Sequence, residues 1–436
     1  LWKRDGKTGE KTDVREGKIV FHIDVNSAFL SWSAIERLKD QRDSVDLRTV
    51  PSVVGGDEET RHGVVLAKST PAKKYGITTG EPILSAKRKC PGLVVIPPDF
   101  HAYVEQSNRL RALLGKYTDR VIPYSIDEAW AEFDGFGQLY GTRYKTPEEF
   151  AQHLREKIKN TLGFTVNIGV SCNRLLAKMA GDFKKPDLVH TLFPEEIPAK
   201  LWPLPVSSLL FAGKAATQRL KGLGIYTVGD LAHADRGMLA AHMKKHGLAL
   251  YEYAWGRESD GMFDMEAENK GCGNSVTTPE DVTDLAYARQ ILLSLCETVG
   301  IRLRADHKKA GGVSVGMRTS SFENSSRQLL LDSSTDVTEE IFETACRLLN
   351  KMWDGKKPLR LLQVTATRLT DAEYRQYSLF DRVDYEKLEK ANQAIDSIRA
   401  RFGENAVMRA SFLKSSVEPT SGGLNKEKRR NQKTPE

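Results

Sequence analysis

No stretch of this 436-residue sequence approaches the ~18 consecutive apolar residues that cross a bilayer, and no secretory leader pattern opens it. A membrane-bound or exported role is therefore not expected, and the chain reads as cytoplasmic. Cysteine is scarce as well. The five cysteines (Cys90, Cys172, Cys272, Cys296 and Cys346) are odd in number, scattered, and form no CxxC pair. That pattern argues against a disulfide framework or a structural zinc site and suits a reducing compartment. No internal repeat stands out. Neither sign of charge dominates, since 65 Lys+Arg against 58 Asp+Glu leave +7. The excess is compatible with a polyanionic partner without demonstrating one. Leu1 in place of an initiating Met points to a missing or engineered N-terminus.

What is present is ordinary globular material, 40% hydrophobic and 28% charged, which excludes wholesale disorder. The length suits about three domains of ~150 residues. Residues 1–17 have almost no apolar content and read as a flexible arm. Residues 413–436 read as a basic flexible tail, and the acidic, aperiodic stretch 257–272 as a linker. The basic excess concentrates in residues 200–258 and in that tail.

Between these segments, KIVFHIDV (18–25) alternates as a strand, with Asp24 at its C-terminal end. Asn26 and Ser27 are good N-caps for a helix carrying Ala28, Trp32, Ile35 and Leu38. SVVGGDEETRHGVVLAKS (52–69) reads as two strands around a Gly-rich turn. A helix with Tyr103, Leu110 and Leu114 follows, then VIPYSIDEAWAEF (121–133) as a strand pair with Asp127 and Glu128 near its turn. Thr146-Pro147-Glu148-Glu149 is a capping box with Pro at the first helical position. FTVNIGVS (164–171) alternates as a strand, and NRLLAKMAGDF (173–183) returns to helix. These alternations describe a mixed α+β core. Residues 200–256 read as short helices between Gly turns, and residues from 273 onwards follow the β-α-β-β-α-β order of a ferredoxin-like unit.

Only the fold could bring Asp24 and the Asp127-Glu128 pair together. Their chemistry suits phosphoryl transfer, in which hard carboxylate oxygens hold two Mg²⁺ ions and these stabilise the attacking and leaving oxygens. On spacing alone, exposed acids at a turn are the commoner outcome.

The residues FHIDVNSAFLSW, YSIDEAW and GVSCNRLLAKMAGDFKKPD resemble the core motifs of Y-family translesion DNA polymerases, of the DNA polymerase IV-like type. The resemblance covers about residues 18–412, and the combination of motifs is specific where one alone would be weak. It implies a right-hand polymerase. Residues 18–199 would form a ferredoxin-like palm with small fingers inserted at about 36–98. A helix-hairpin-helix thumb at 200–256, the linker, and a βαββαβ little finger at 273–412 would follow. It further implies that Asp24, Asp127 and Glu128 form a metal-binding triad, joined by the backbone carbonyl of Val25. Phe29 falls at the steric gate, where an aromatic ring against the sugar leaves no room for a 2′-hydroxyl. Lys185 matches a triphosphate-contacting lysine. The family's Tyr-x-Ala-Arg-Lys pattern is replaced by Thr70-Pro71-Ala72-Lys73-Lys74. Lys73 supplies positive charge there, but not the bidentate fork of arginine.

The same resemblance assigns PVSSLLFAGKAATQRLKGLGIYTVGDLA (205–232) to a hairpin that faces phosphates with backbone N–H groups. Gly213, Lys214, Gly222 and Gly224 are its expected DNA contacts. Phe211-Ala212-Gly213 replaces the usual Gly-x-Gly. In GGVSVGMRTSSF, Ser314, Gly316 and Arg318 share one strand face, suited to phosphate positioning rather than base readout. Gln376-Tyr377-Ser378-Leu379-Phe380 looks like a peptide for the bacterial sliding clamp (its β subunit), with Leu379 and Phe380 as apolar anchors and Gln376 as a hydrogen bonder. The expected partners are thus primer-template DNA, dNTPs and the clamp, for a monomer working on bacterial DNA in the cytoplasm. The competing class is a non-catalytic, clamp-tethered DNA-binding scaffold, against which the joint presence of the triad, Phe29 and Lys185 argues. Gly55-Gly56-Asp57-Glu58 also resembles a diguanylate cyclase hairpin, but no cyclase-sized domain surrounds it.

Overall fold

A computed structural model describes residues 17–40, 45–56, 63–259, 262–263, 269–371, 384–403, 406–413 and 415–420. In chain order the first elements are β1 (Ile19–Val25), α1 (Ala28–Lys39), β2 (Ser52–Gly55), β3 (Val65–Lys68), α2 (Thr70–Lys74), α3 (Ile83–Lys89), β4 (Val94–Ile96), α4 (Phe100–Leu114), β5 (Val121–Pro123) and β6 (Glu128–Phe133). They continue with α5 (Phe136–Leu139), α6 (Pro147–Leu162), β7 (Val166–Ser171), α7 (Arg174–Gly181), β8 (Val189–Thr191), α8 (Ile197–Lys200), α9 (Lys214–Gly222), α10 (Val228–Ala232) and α11 (Arg236–Ala254). The remainder comprises β9 (Gly271–Val282), α12 (Leu285–Ala305), β10 (Lys309–Thr319), β11 (Asn324–Thr335), α13 (Thr338–Met352), β12 (Leu359–Thr370) and α14 (Tyr385–Phe402). The chain divides into two compact units. One holds Leu1–Gly55, Val65–Glu81 and Ser85–Glu266, and the other Gly56–Val64, Pro82–Leu84 and Ala267–Glu436. Among the described residues, no helix is long and apolar enough to cross a membrane.

The first unit is built on a five-stranded sheet of order β5-β6-β1-β7-β8, antiparallel except for the β7–β8 pair. Every residue of β1 is buried, because the strand is central and covered on both faces. Ile19, Phe21, Ile23 and Val25 enter a core with Tyr103 and Leu110 of α4 and with Phe150, Leu154 and Ile158 of α6. Val20, on the opposite face, joins Trp130, Leu175 and Leu176 in a second core that runs on into α9, α10 and α11. His22 and Asp24 share Val20's face by strand alternation. A separate three-stranded sheet of order β3-β2-β4 belongs to this unit too.

Two local expectations change in detail. Ser27 occupies the N-cap of α1 in a left-handed conformation (φ 48°) and makes no side-chain cap bond; Ser31 Oγ instead donates to the Asn26 carbonyl at 2.7 Å. The capping box before α6 is shifted by one residue on its return arm. Thr146 Oγ accepts from the Glu149 N–H, whereas the Glu149 carboxylate accepts from the Lys145 N–H at 2.7 Å. The segment read as a linker is also not wholly free, since Phe263 is buried with its ring 4.6 Å from that of Trp130.

The second unit follows the β-α-β-β-α-β order with an antiparallel sheet arranged β11-β10-β12-β9. Its core gathers Ile291, Leu292 and Leu295 of α12, Val313 and Val315 of β10, and Ile341 and Leu348 of α13. Strand β9 begins at Gly271, two residues inside the expected linker. The start of the expected tail is docked rather than loose. Val417 is buried, and Ser294 Oγ donates to the Glu418 carbonyl at 2.5 Å. Residues 421–436 lie outside the described residues.

Candidate active site

Strand pairing assembles the acidic residues. Asp24 and Glu128 are register partners across β1 and β6, and the Val25 N–H donates to the Asp127 carbonyl at 3.0 Å. The end of one strand thereby meets the turn that opens the other. Ser125 shapes that turn, with Oγ donating to Asp127 Oδ1 at 2.7 Å and accepting from the Glu128 N–H at 3.1 Å.

Asp24, Val25, Phe29, Lys73, Asp127 and Lys185 line one cleft of about 780 Å³ within the first unit. Glu128 lies beside it rather than in its lining. Among the described residues, no three Asp, Glu, His or Cys side chains converge tightly enough to hold an ion. Each acid is instead turned toward a nearby polar group. Lys185 Nζ lies 2.6 Å from Asp24 Oδ2 and 2.8 Å from Asp182 Oδ1. Lys178 Nζ lies 2.8 Å from Glu128 Oε2 and 4.8 Å from the centre of the Tyr124 ring. His22 Nε2 is 3.8 Å from the same Glu128 oxygen, too far for a hydrogen bond.

The electrostatics separate the two carboxylates. Burial pushes the Asp24 carboxyl up to about 6, opposed by Lys185 and helped by the charges of Glu128 and Asp127. Burial also works to raise Glu128, but the Lys178 ammonium 2.8 Å away outweighs it and brings the carboxyl down to about 2. His22, fully buried, is held below its ordinary value mainly by desolvation, so its ring is neutral at pH 7. The donors available are hard carboxylate oxygens, one of them desolvated among like charges, and that chemistry suits a divalent cation.

Phe29 is placed by aromatic packing. Its ring stacks on Tyr103 at 4.6 Å and 11°, and meets Phe100 edge-on at 6.1 Å. Lys185 is placed by asparagines. Asn26 Nδ2 donates to Asn167 Oδ1 at 3.1 Å, Asn167 Nδ2 to the Lys184 carbonyl at 2.6 Å, and the Asp187 N–H to Asn26 Oδ1 at 2.9 Å. The loop carrying Lys185 is thus pinned to β1 and β7. Lys178, His22, Asn167 and Ser125 were not singled out from sequence. A lysine within the apolar run LLAKMA and an asparagine within a buried strand were the available signals.

The other expected contacts lie apart from the cleft lining. Gly213 and Lys214 open α9, with open space around the position of a Gly213 Cβ. Gly224 has φ +79° and its N–H donates to the Lys221 carbonyl at 3.0 Å. That donor is spent on closing the turn after Gly222 and does not face outward, so the glycine's role there is conformational. Phe211, where a glycine was expected, sits at φ 66° and is exposed. In the second unit, Ser314, Gly316 and Arg318 do share one face of β10, opposite the buried Val313, Val315 and Met317. Arg318 Nε donates to Asn324 Oδ1 at 2.8 Å. Gln376, Leu379 and Phe380 lie outside the described residues.

Comparison with known proteins agrees with this architecture. Residues 23–182 match the impB/mucB/samB family, and residues 269–379 match the C-terminal domain of that family. A DNA polymerase IV of Clostridium acetobutylicum is 45% identical over 396 residues, covering 91% of this chain and 98% of the relative. One of Acetivibrio thermocellus is 35% identical over 400 residues, covering 91% and 98%. DNA polymerase IV 1 of Bacillus subtilis is 33% identical over 412 residues, covering 93% and 96%. Among solved structures, the Y-family DNA polymerase chimera Dbh-Dpo4(243-245)-Dbh superposes with a TM-score of 0.67 over 81% of this chain and all of the chimera. At 22% identity, that likeness speaks to the fold. With two matched domains and relatives aligned nearly end to end, the chain belongs to the impB/mucB/samB family, as a DNA polymerase IV-like member of the Y-family polymerases.

Proposed function

We propose that the chain is a template-directed DNA polymerase of the translesion type, joining dNMPs to a primer 3′-hydroxyl past damaged template bases. The observation that carries this reading is the cleft itself, where Asp24 and Asp127 face the same space as Phe29, Lys73 and Lys185. In this reading Asp24, Asp127, Glu128 and the Val25 carbonyl hold two Mg²⁺ ions. The ions supply stabilisation of the charge that develops on the attacking and leaving oxygens. The protein's own part is positional. Phe29, braced by Tyr103, closes the space beside C2′ and so selects deoxyribose. Lys185 and Lys73 balance the phosphates, while β1 and β6 hold the carboxylates in register. Gly213, Lys214, Gly222, Ser314 and Arg318 hold the DNA without reading sequence, as a polymerase that accepts any template must, while Gly224 shapes the turn after α9.

The finer partners rest on sequence. Gln376, Leu379 and Phe380 dock the bacterial sliding clamp, and the enzyme works as a monomer on DNA in the bacterial cytoplasm. Pull-down of the clamp should fail for Leu379→Ala/Phe380→Ala, and an unchanged pull-down removes that assignment.

Primer extension with Mg²⁺ and all four dNTPs tests the main reading. The wild type should extend past a defined template lesion, and Asp127→Ala or Glu128→Ala should abolish extension with DNA binding retained. A wild type that binds primer-template but does not extend it would sink the polymerase reading in favour of a scaffold.

A further inference from the structure

One cation in the cleft has no role in the family pattern. Lys68 ends β3, where Val65 and Ala67 are buried and Leu66 and Lys68 are partly exposed, and Leu66, Ala67 and Lys68 all line the cleft. Lys73 lines the same cleft from α2. Ser69 sets the geometry between them, since its Oγ accepts from the Ala72 and Ser52 N–H groups, each at 3.1 Å, and donates to the Val50 carbonyl at 2.8 Å. The two lysines are therefore carried on a turn that is tied at three points.

The other two cations of the cleft lining already have carboxylate partners in the unliganded structure. Lys185 is paired with Asp24 and Asp182. Arg48 grips the Asp46 carboxylate through Nε and Nη2, and donates to the Gly163 carbonyl from Nη1 at 2.6 Å. Lys68 and Lys73 have no ion pair or side-chain hydrogen bond among the described residues. The charged groups around Lys68 are Lys73, Glu81 and Lys89. Glu81 is already taken, with Lys89 Nζ at 2.6 Å and the Thr78 N–H at 2.8 Å. Burial, then the like charge of Lys73, holds the Lys68 ammonium below its ordinary value. An anion bound between two such groups would turn their repulsion into attraction.

We propose that Lys68 acts with Lys73 as a two-lysine clamp on the phosphates of the incoming nucleoside triphosphate. A single lysine is a point charge and cannot reproduce the two-pronged contact of an arginine fork. Two lysines converging from a strand end and a helix restore a second donor. Lys68 thus compensates for the Lys73 and Thr70 substitutions in this chain and binds substrate without touching the reacting carboxylates. The inference rests on the polymerase reading of the cleft.

Equilibrium binding of a fluorescent dATP to the full-length chain with primer-template, in Ca²⁺ in place of Mg²⁺, tests it apart from catalysis. Lys68→Ala should weaken dATP binding about tenfold, the loss expected for one charge-assisted hydrogen bond. Lys68→Arg should restore it, and Lys68→Ala/Lys73→Ala should differ from the product of the single effects, as for residues sharing one ligand. In steady-state extension the same loss should appear in KM for dNTP with kcat little changed. Lys68→Gln serves if the alanine variant melts early. Unchanged dATP binding overturns the proposal, whether or not the wild type extends a primer. Weakened primer-template binding with unchanged dATP binding also overturns it, because the anion would then be a DNA phosphodiester. If dATP binding responds but the wild type never extends a primer, the clamp stands and the polymerase reading falls.

Discussion

Lys185 Nζ approaches Asp24 Oδ2 to 2.6 Å across 161 positions of sequence, joining the end of the first strand to the loop after α7. Asp24 is 11% exposed at the side chain, and the charges of Asp127 and Glu128 lie near it. Its ionised form is therefore costly in the folded chain despite the lysine. Burial lifts its carboxyl from 3.8 to about 6, so above pH 6 the folded state holds a charge that the unfolded state tolerates better. Asp24→Asn removes that burden. In EDTA at pH 8 it should raise stability by about 1 kcal/mol, or roughly 2–4 °C in Tm. Primer extension should be lost in the same variant. A lower Tm would show that the Lys185 pair outweighs desolvation.

Glu132 gives the opposite sign. Its side chain is fully buried, and its carboxylate lies 2.8 Å from Arg174 Nε and 2.9 Å from both Lys18 Nζ and Arg120 Nη2. Burial works to raise this carboxyl, but Lys18 and Arg174 overcome it and hold it below 4.5. The folded value is depressed, so its stabilisation is present above pH 4.5 and is lost as pH falls through the folded value. Glu132→Gln should cost about 2 kcal/mol at pH 7, less than for a fully buried pair because Lys18 and Arg120 reach solvent. Denaturant melts at pH 7 and at pH 3 check both parts, since the gap between wild type and variant should narrow at the lower pH.

The Phe29–Tyr103 stack makes sugar selection a property of two rings. Tyr103 is fully buried, and its hydroxyl shares a 2.8 Å hydrogen bond with Ser33 Oγ, which fixes the surface on which Phe29 rests. Phe29→Ala should improve ribonucleotide use relative to deoxyribonucleotide use by about 100-fold in kcat/KM. Tyr103→Leu should shift the same ratio in the same direction by less. Unchanged discrimination in Phe29→Ala would remove the gate assignment.

At Gly169, β7 packs directly against the backbone of α7. A Cβ built there would lie 1.9 Å from the Ala177 carbonyl oxygen and 2.4 Å from the Gly181 nitrogen, both of them backbone atoms. Neither can swing aside as a side chain would. Gly169→Ala should cost about 3 kcal/mol or more and misplace Lys178, which α7 carries to Glu128. Equilibrium unfolding of the variant measures this, and a loss under about 1 kcal/mol would mean that the helix shifts freely.

The elements were legible wherever one period ran long enough. The alternation of 18–25 and the cap-to-glycine span from Thr146 to Gly163 state their own geometry, because strand and helix faces repeat locally. The little-finger order was readable for the same reason. Ser27 and Glu149 departed from expectation because capping depends on which neighbouring N–H is nearest, and sequence spacing does not give that. The docked positions of Phe263 and Val417 were hidden because a lone apolar residue in a polar stretch carries no period.

From the chain of residues alone came the acids, the aromatic gate candidate and the motif combination, since these are matters of chemical identity. Which charges meet was decided by tertiary structure. Strand register sets Asp24 opposite Glu128, α7 delivers Lys178, and the Asn26–Asn167 bond holds the Lys185 loop. Few cysteines and no long apolar run bound the chemistry without locating it. Location followed from burial, because a carboxylate or ammonium withdrawn from water acquires a partner, and only the packed chain determines which one.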